Sequence, residues 1–300
     1  MGADSEGTTR PRRSALYMPG ANARALEKGR DVPADILIMD LEDGVAPEAK
    51  DEARQRIVQM VGEGGYGRRE LAVRINGAGT EWHEGDIAAI ATSGVNAIAL
   101  PKVDDAAAVL AVVALMEKAG APADMQIWCM IETARGVLNA NAIAGAHLRV
   151  GTLMIGSADL TKDLRALQTP DRLPLVTSIQ LVILAARANG LTVLDAPFFD
   201  LSDDDGFLAS CRQGREFGFD GKTLLHPKTI AGANAAFGPS EDEIAWAHRI
   251  TEAHEAALAE GKGVILVDGQ LIEGLHVAEA QRLVRMAEII KALEGDRGAS

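Results

Sequence analysis

The chain has 300 residues with 30 basic and 43 acidic side chains, a formal net charge of −13 at pH 7. That balance excludes the basic footprint of a nucleic-acid binder, and 47% hydrophobic against 24% charged residues excludes a disordered chain. Only 4% is aromatic, so the core must be mostly Ala, Val, Leu and Ile, and the length suits two ordinary domains or one large α/β barrel.

Residues 1–13 are small, polar and charged and read as a flexible N-terminal arm. Short apolar runs then alternate with Ala-rich helical stretches. The run 15–18 precedes a helix over 23–29, and 36–40 precedes one over 47–61. In the latter, Pro47 opens the first turn and Glu48 and Asp51 sit at the positive dipole end. The pairs continue as 71–75 with 84–92, 97–100 with 104–119, and 127–131 with 136–144. They finish as 153–155 with 174–189, 191–194 with 203–217, and 222–225 with 227–236. Continuous apolar runs suit parallel strands buried on both faces. The alternation predicts right-handed crossovers, and eight repeats close most simply into a (β/α)8 TIM barrel over residues 14–238. A doubly wound open sheet is the alternative. Residues 239–300 form a C-terminal helical extension. There Ser240 and Glu243 make a capping box for a helix to residue 258. Gly261-Lys-Gly263 breaks the chain, 264–267 is a short strand, Asp268-Gly269 a turn, and 277–293 a helix.

No apolar run approaches the roughly 18 residues of a membrane span, and residues 1–13 lack the apolar stretch of a secretory signal. Cys129 and Cys211 are isolated and read as buried thiols of a reducing compartment. The expectation is a cytoplasmic enzyme without a membrane partner.

Barrel chemistry sits on the loops that follow the strands. Those positions hold Asp40-Leu-Glu-Asp-Gly44, Arg74 and Asn76, Lys102, Glu132-Thr133, Gly156-Ser-Ala-Asp159, Asp195 and His226. Each alone could be a cap, a turn or a solvated charge, but their gathering at one end of nearly every strand predicts an active site. Glu42, Asp43, Glu132 and Asp159 would crowd one mouth with Arg74 and Lys102. Clustered carboxylates repel unless a cation neutralises them, and a hard divalent ion such as Mg²⁺ does this with carboxylates, substrate oxygens and waters. No Cys or His pair has zinc spacing. A guanidinium and Mg²⁺ flanking one carbonyl would stabilise an enolate, which suggests cleavage or formation of a carbon–carbon bond beside a carbonyl. The small residues Gly156, Ser157 and Ala158 would let backbone amides approach a ligand carboxylate, or form an ordinary tight turn. Arg24 and Lys28 share one helix face, which suits a phosphate or plain solvation.

Ordered motifs across nearly the whole chain resemble citrate lyase β-subunit-like proteins of the HpcH/HpaI aldolase superfamily. They are Arg13-Ser-Ala-Leu-Tyr-Met-Pro-Gly-Ala-Asn22, Asp40-Leu-Glu-Asp-Gly-Val45, Val73-Arg-Ile-Asn76, Leu100-Pro-Lys102, Ile131-Glu-Thr-Ala-Arg-Gly136, Gly156-Ser-Ala-Asp-Leu160 and Phe219-Asp-Gly-Lys-Thr-Leu-Leu-His-Pro227. The resemblance implies a TIM barrel with Mg²⁺-dependent lyase chemistry, Mn²⁺ being a substitute. It implies that Glu132 and Asp159 hold the metal and that Arg74 polarises the thioester or keto oxygen. Glu42 and Asp43 would order metal waters or substrate, and backbone amides at Gly156, Ser157 and Ala158 would receive an oxo-acid carboxylate. Arg24 and Lys28 would contact the phosphates of CoA, which enters as part of the substrate. Two positions depart from the pattern: Ala158 stands where relatives often carry an acid, and Lys162 where many have a small residue. Val267-Asp-Gly-Gln-Leu-Ile272 resembles the tail element of stand-alone members, whose aspartate reaches a neighbouring subunit's site. Asp268 would there exchange a proton with the enolate or activate a water, and the protein would be a homo-oligomer, a trimer or hexamer. The primary expectation is a carbon–carbon lyase acting on malyl-CoA or citramalyl-CoA, giving acyl-CoA and glyoxylate or pyruvate. The alternative is a (3S)-malyl-CoA thioesterase giving malate and CoA. A citrate lyase β subunit, or a non-catalytic subunit of such a complex, is a third reading.

Overall fold

The computed structural model describes residues 10–259 and 265–297. Strands β1 (Ser14–Pro19), β2 (Ile36–Asp40), β3 (Glu70–Arg74), β4 (Ala97–Leu100), β5 (Gln126–Ile131), β6 (Val150–Ile155), β7 (Thr192–Asp195) and β8 (Gly221–Leu224) are parallel and close into one barrel in sequence order. Helices α1 (Ala23–Lys28), α2 (Lys50–Glu63), α3 (His83–Ile90), α4 (Ala106–Lys118), α5 (Ala134–Leu138), α6 (Ala140–Ala144), α7 (Ser157–Asp163), α8 (Val176–Ala188), α9 (Asp204–Phe217) and α10 (Ile230–Phe237) follow the strands. The expected (β/α)8 barrel is therefore present, and all eight apolar runs are its strands.

The strands form where they do because both faces are covered, so β2 and β4 are buried at every position. Inside the barrel, Ala15, Ala72, Ala97 and Ala99 share one cluster with Trp128, the largest fully buried side chain. Small residues on neighbouring strands thus leave the volume that one indole fills, as close packing demands. Caps set the helix starts: Asp105, Thr133 and Asp203 accept from the amides of Ala108, Gly136 and Gly206. Gly218, with φ of 104°, ends α9 in the left-handed conformation that favours glycine.

The end of the barrel opposite the strand C-termini is closed by ions. Arg12 donates to both oxygens of Glu70, at 2.8 and 2.6 Å, and to Thr152 and Thr192, with its guanidinium 5.1 Å from the Trp128 ring. Buried Arg13 grips Asp35 at 2.9 Å. Residues 1–9 of the expected arm lie outside the described residues, whereas Arg12 and Arg13 are part of this barrel network. Losing one partner of such a buried pair costs about 3–5 kcal/mol, because the other charge is stranded.

Residues Arg12–Asn234 make one compact unit, and a second contains Ala235–Ser300. In the second, α11 (Glu241–Ala259), the antiparallel hairpin of β9 (Ile265–Val267) and β10 (Gln270–Ile272), and α12 (Gly274–Arg297) surround Ala247, Ile250, Val267, Ile272, Val277 and Ala280. Ser240 and Glu243 make the expected capping box, with reciprocal bonds of 3.2 and 2.8 Å. The predicted break at Gly261-Lys-Gly263 lies outside the described residues. Two elements differ from expectation: the single helix read over 136–144 is the pair α5 and α6, parted at Asn139, and α7 occupies a stretch read as a loop. Its seven residues offer too short an apolar pattern to announce a helix. Among the described residues, no helix is long and apolar enough to cross a membrane.

Candidate active site

A cavity of about 350 Å³ opens at the C-terminal end of the barrel, bordered by Tyr17, Asp40, Arg74, Glu132, Gly156 and Asp159 among others. Its organising group is Asp40. The parallel register of β2 on β3 sets Asp40 beside Arg74. Asp40 Oδ1 and Oδ2 accept from Arg74 Nε and Nη2, both at 2.7 Å. The same two oxygens accept from the amides of Glu42 and Gly44, each at 2.9 Å, and so fold the loop. A Cβ at Gly44 would stand 2.5 Å from Asp40 Oδ2, so a side chain here would push that carboxylate off its bonds.

The remaining Arg74 contacts come from Glu42, 2.8 Å from Nη1, and from the ring of Tyr17, 4.9 Å below the guanidinium. Burial disfavours the Arg74 charge, but Asp40 above all, with Tyr17 and Glu42, reverses this and raises its pKa. Two of its five N–H groups donate to Asp40 while Glu42 pairs with Nη1 as an ion, which leaves donors for a ligand oxygen. Asp43 differs from Glu42: it is 3.9 Å from Arg74 and 68% exposed, against 10% for Glu42.

Lys102 ties the acids together. Its amide donates to Glu132 Oε1 and its ammonium to Glu42 Oε1, both at 2.7 Å. Meeting both acids coincides with a φ of 52° at Lys102, a left-handed conformation uncommon for a residue with a side chain. Glu132 also packs against Gly156, where a Cβ would lie 2.2 Å from Oε2. Burial pushes the Glu132 carboxyl up to about 7; Asp159 and Glu42 add to burial, and Lys102 opposes it.

The donor set of the cavity supplies the test for a metal, since Glu132 and Asp159 both line it. Glu132 and Asp159 are hard oxygen donors held near each other, and a divalent cation would relieve their repulsion. No group of three or more metal-binding side chains is assembled among the described residues. Two carboxylates with remaining positions for water or substrate is what Mg²⁺ takes, so the residues fit that ion.

Gly156, Ser157, Ala158 and Asp159 all border the cavity. Ser157, Ala158 and Asp159 open α7, whose leading N–H groups lack intrahelical acceptors; Gly156 precedes the helix and, against expectation, its amide is taken by the Ile131 carbonyl at 3.2 Å because it continues the ladder from β5. Arg24 and Lys28 are exposed on α1 and are not among the residues bordering the cavity. Asp268, with φ of 49°, heads the β9–β10 turn and lies 3.4 Å from Arg249 of its own unit. Other strand-end groups are structural. Asp195 binds Arg172 at 2.6 Å and Lys222 at 2.9 Å, Asn76 binds Asp86, and His226 caps Lys228. Asp163 accepts from Ala134 rather than from Lys162. Sequence reasoning missed Asp40 as the holder of Arg74 and missed Tyr17. The signal for Asp40 was its spacing of two and four residues from the Glu42 and Gly44 amides it accepts, a local turn pattern of aspartate.

A family model described as HpcH/HpaI aldolase/citrate lyase matches residues 13–227. The (3S)-malyl-CoA thioesterase of Cereibacter sphaeroides strain KD131 is 45% identical over 94% of this chain and 96% of that protein. The L-malyl-CoA/β-methylmalyl-CoA lyase of Cereibacter sphaeroides strain ATCC 17025 is 34% identical over 94% and 96%. Among solved structures, protein CitE from Mycobacterium tuberculosis in complex with magnesium, acetoacetate and coenzyme A has a TM-score of 0.75. It is 28% identical, covering 94% of this chain and 99% of that one. These comparisons correct the primary expectation of a malyl-CoA or citramalyl-CoA lyase. The more similar relative bears the alternative activity, thioester hydrolysis. The physical reason is that both reactions polarise the same thioester carbonyl, so the shared motifs do not tell them apart.

Proposed function

The chain belongs to the HpcH/HpaI aldolase/citrate lyase family, and from that premise we propose that it hydrolyses the thioester of (3S)-malyl-CoA to malate and free CoA. The observation that carries this reading is the 45% identity, over 94% of the chain, to an enzyme of that name.

Residues 14–238 would hold the chemistry. Glu132 and Asp159 would hold Mg²⁺, or Mn²⁺ in its place, which when bound supplies neutralising charge and Lewis acidity. The free N–H groups of Arg74 meet the thioester oxygen and stabilise the negative charge that grows on it. Asp40 fixes the guanidinium plane for that task, and Glu42 holds Arg74 and Lys102 at a set distance. Asp43, the exposed acid of the pair, orders water at the mouth. Amides at Ser157 and Ala158 receive the malyl carboxylate. Arg24 and Lys28 grip CoA phosphates outside the cavity.

Asp268 of a neighbouring copy in a homo-oligomer, a trimer or hexamer, takes a proton from the attacking water. The hydroxide adds to the thioester carbon, the C–S bond breaks, and the proton passes to the CoA thiolate. The enzyme is assayed on (3S)-malyl-CoA with Mg²⁺, following free thiol and glyoxylate in parallel. Thiol release without glyoxylate is expected, and it stops when EDTA removes the metal. Glyoxylate formed in step with consumption of the thioester refutes the reading.

A further inference from the structure

The hydrolysis described above gives Tyr17 no task. Its ring lies under Arg74 at 4.9 Å, and the residue borders the catalytic cavity. Its hydroxyl meets Met130 Sδ at 3.9 Å. A thioether is a weak acceptor, and the contact is long, so this partly buried O–H is left largely unsatisfied. Burial raises the phenol's pKa against the pull of Arg74, with Asp40, Glu132 and Glu42 adding to the rise, so the proton stays on the oxygen.

The neighbours of that hydroxyl have the opposite character. Asp40 and Glu132 border the same cavity as Tyr17 and, with Glu42, act on it electrostatically, and ionised carboxylates only accept. Arg74 donates two N–H groups to Asp40 and is ion-paired with Glu42. Tyr17 is thus an uncharged donor in a pocket of acceptors. An alcohol oxygen is the complementary partner, because it accepts from the phenol while its own proton goes to a carboxylate. A carboxylate there would be repelled by the acids, and a methylene would offer nothing to either.

We propose that Tyr17 is a substrate-binding residue that selects hydroxyacyl thioesters by donating its phenolic hydrogen to the substrate's hydroxyl oxygen. This rests on the assignment of the cavity to a hydroxyacyl-CoA. Malyl-CoA and succinyl-CoA differ by that single hydroxyl and share the thioester and the distal carboxylate. Succinyl-CoA would leave the phenol facing only sulfur.

The test measures dissociation constants of two non-hydrolysable analogues on the Mg²⁺-loaded protein by calorimetry. In each, malyl or succinyl, a methylene replaces the thioester sulfur. The wild-type protein is expected to prefer the malyl analogue by at least about tenfold. Tyr17→Phe keeps the ring under Arg74 and is expected to cut that preference by about 10–100-fold, leaving the succinyl analogue within about threefold. A role confined to packing would weaken both analogues alike, and that result overturns the proposal. No preference in the wild-type protein overturns it without recourse to the variant. If the preference is present but malyl-CoA is not hydrolysed, the assigned reaction falls and the role of Tyr17 stands.

Discussion

Replacing Asp40 by Asn tests whether Arg74 is held by the carboxylate or merely lies near it. Asn keeps one oxygen, which still accepts from either the Glu42 or the Gly44 amide. Its NH₂ then faces donors on the other side, Arg74 Nη2 or Nε and a backbone amide. One short bond to the guanidinium and one backbone bond are lost, and the guanidinium bond that remains loses its ionised acceptor, in a pair whose side chains are 12% and 5% exposed. Breaking a buried pair costs about 3–5 kcal/mol, and Glu42 still partners Arg74, so the lower figure applies. At about 2–4 °C per kcal/mol for a unit of this size, the melting temperature should fall by about 6–12 °C. A guanidinium displaced by an ångström should lower kcat/KM about 100-fold. Thermal unfolding by circular dichroism reads the first effect and thiol release from malyl-CoA the second. Asp43→Asn is the comparison, since that side chain is 68% exposed and 3.9 Å from Arg74. Equal melting temperatures for the two variants, with activity near wild type for Asp40→Asn, would refute the reasoning.

Other outcomes follow from the same geometry. Mg²⁺ and a proton compete for Glu132, whose pKa stands at about 7, so calorimetric Mg²⁺ affinity should fall as pH drops below 7 and level off above it. In the metal-free protein the sign is set by a folded-state pKa raised from 4.5 to about 7. The folded state then binds the proton more tightly, so stability should decline as pH rises through that window and denaturant midpoints should follow. Gly156→Ala places a Cβ 2.2 Å from Glu132 Oε2. It should cost about 1–3 kcal/mol and abolish Mg²⁺ binding, read by unfolding and by calorimetry. Replacing both Arg24 and Lys28 by Ala should raise KM for the CoA thioester about tenfold, make it less salt-sensitive, and leave kcat and melting temperature unchanged.

The barrel was legible because each strand is buried on both faces and so reads as an unbroken apolar run, as at 36–40 and 97–100. The site was legible as the polar residues that end those runs. What escaped depends on neighbours that one strand cannot announce. Asp40 meets Arg74 only through the register of β2 on β3, and Asp195 is claimed by Arg172 from another loop. Tyr17 looked like one more apolar strand residue, because nothing in its own stretch shows that Arg74 lies over it. The turn of α7 was hidden by Gly156-Ser-Ala-Asp159, which composes a tight turn as readily as a helix start. Lyase and hydrolase remained unresolved because they share an electrophile and differ in whether water reaches it.

The most direct measurement of the central claim is conversion of (3S)-malyl-CoA by the Mg²⁺-loaded enzyme in water enriched in oxygen-18, with products read by mass spectrometry. The account predicts free CoA and malate carrying one labelled oxygen in the carboxyl that was the thioester. Acetyl-CoA and glyoxylate in place of labelled malate would contradict it.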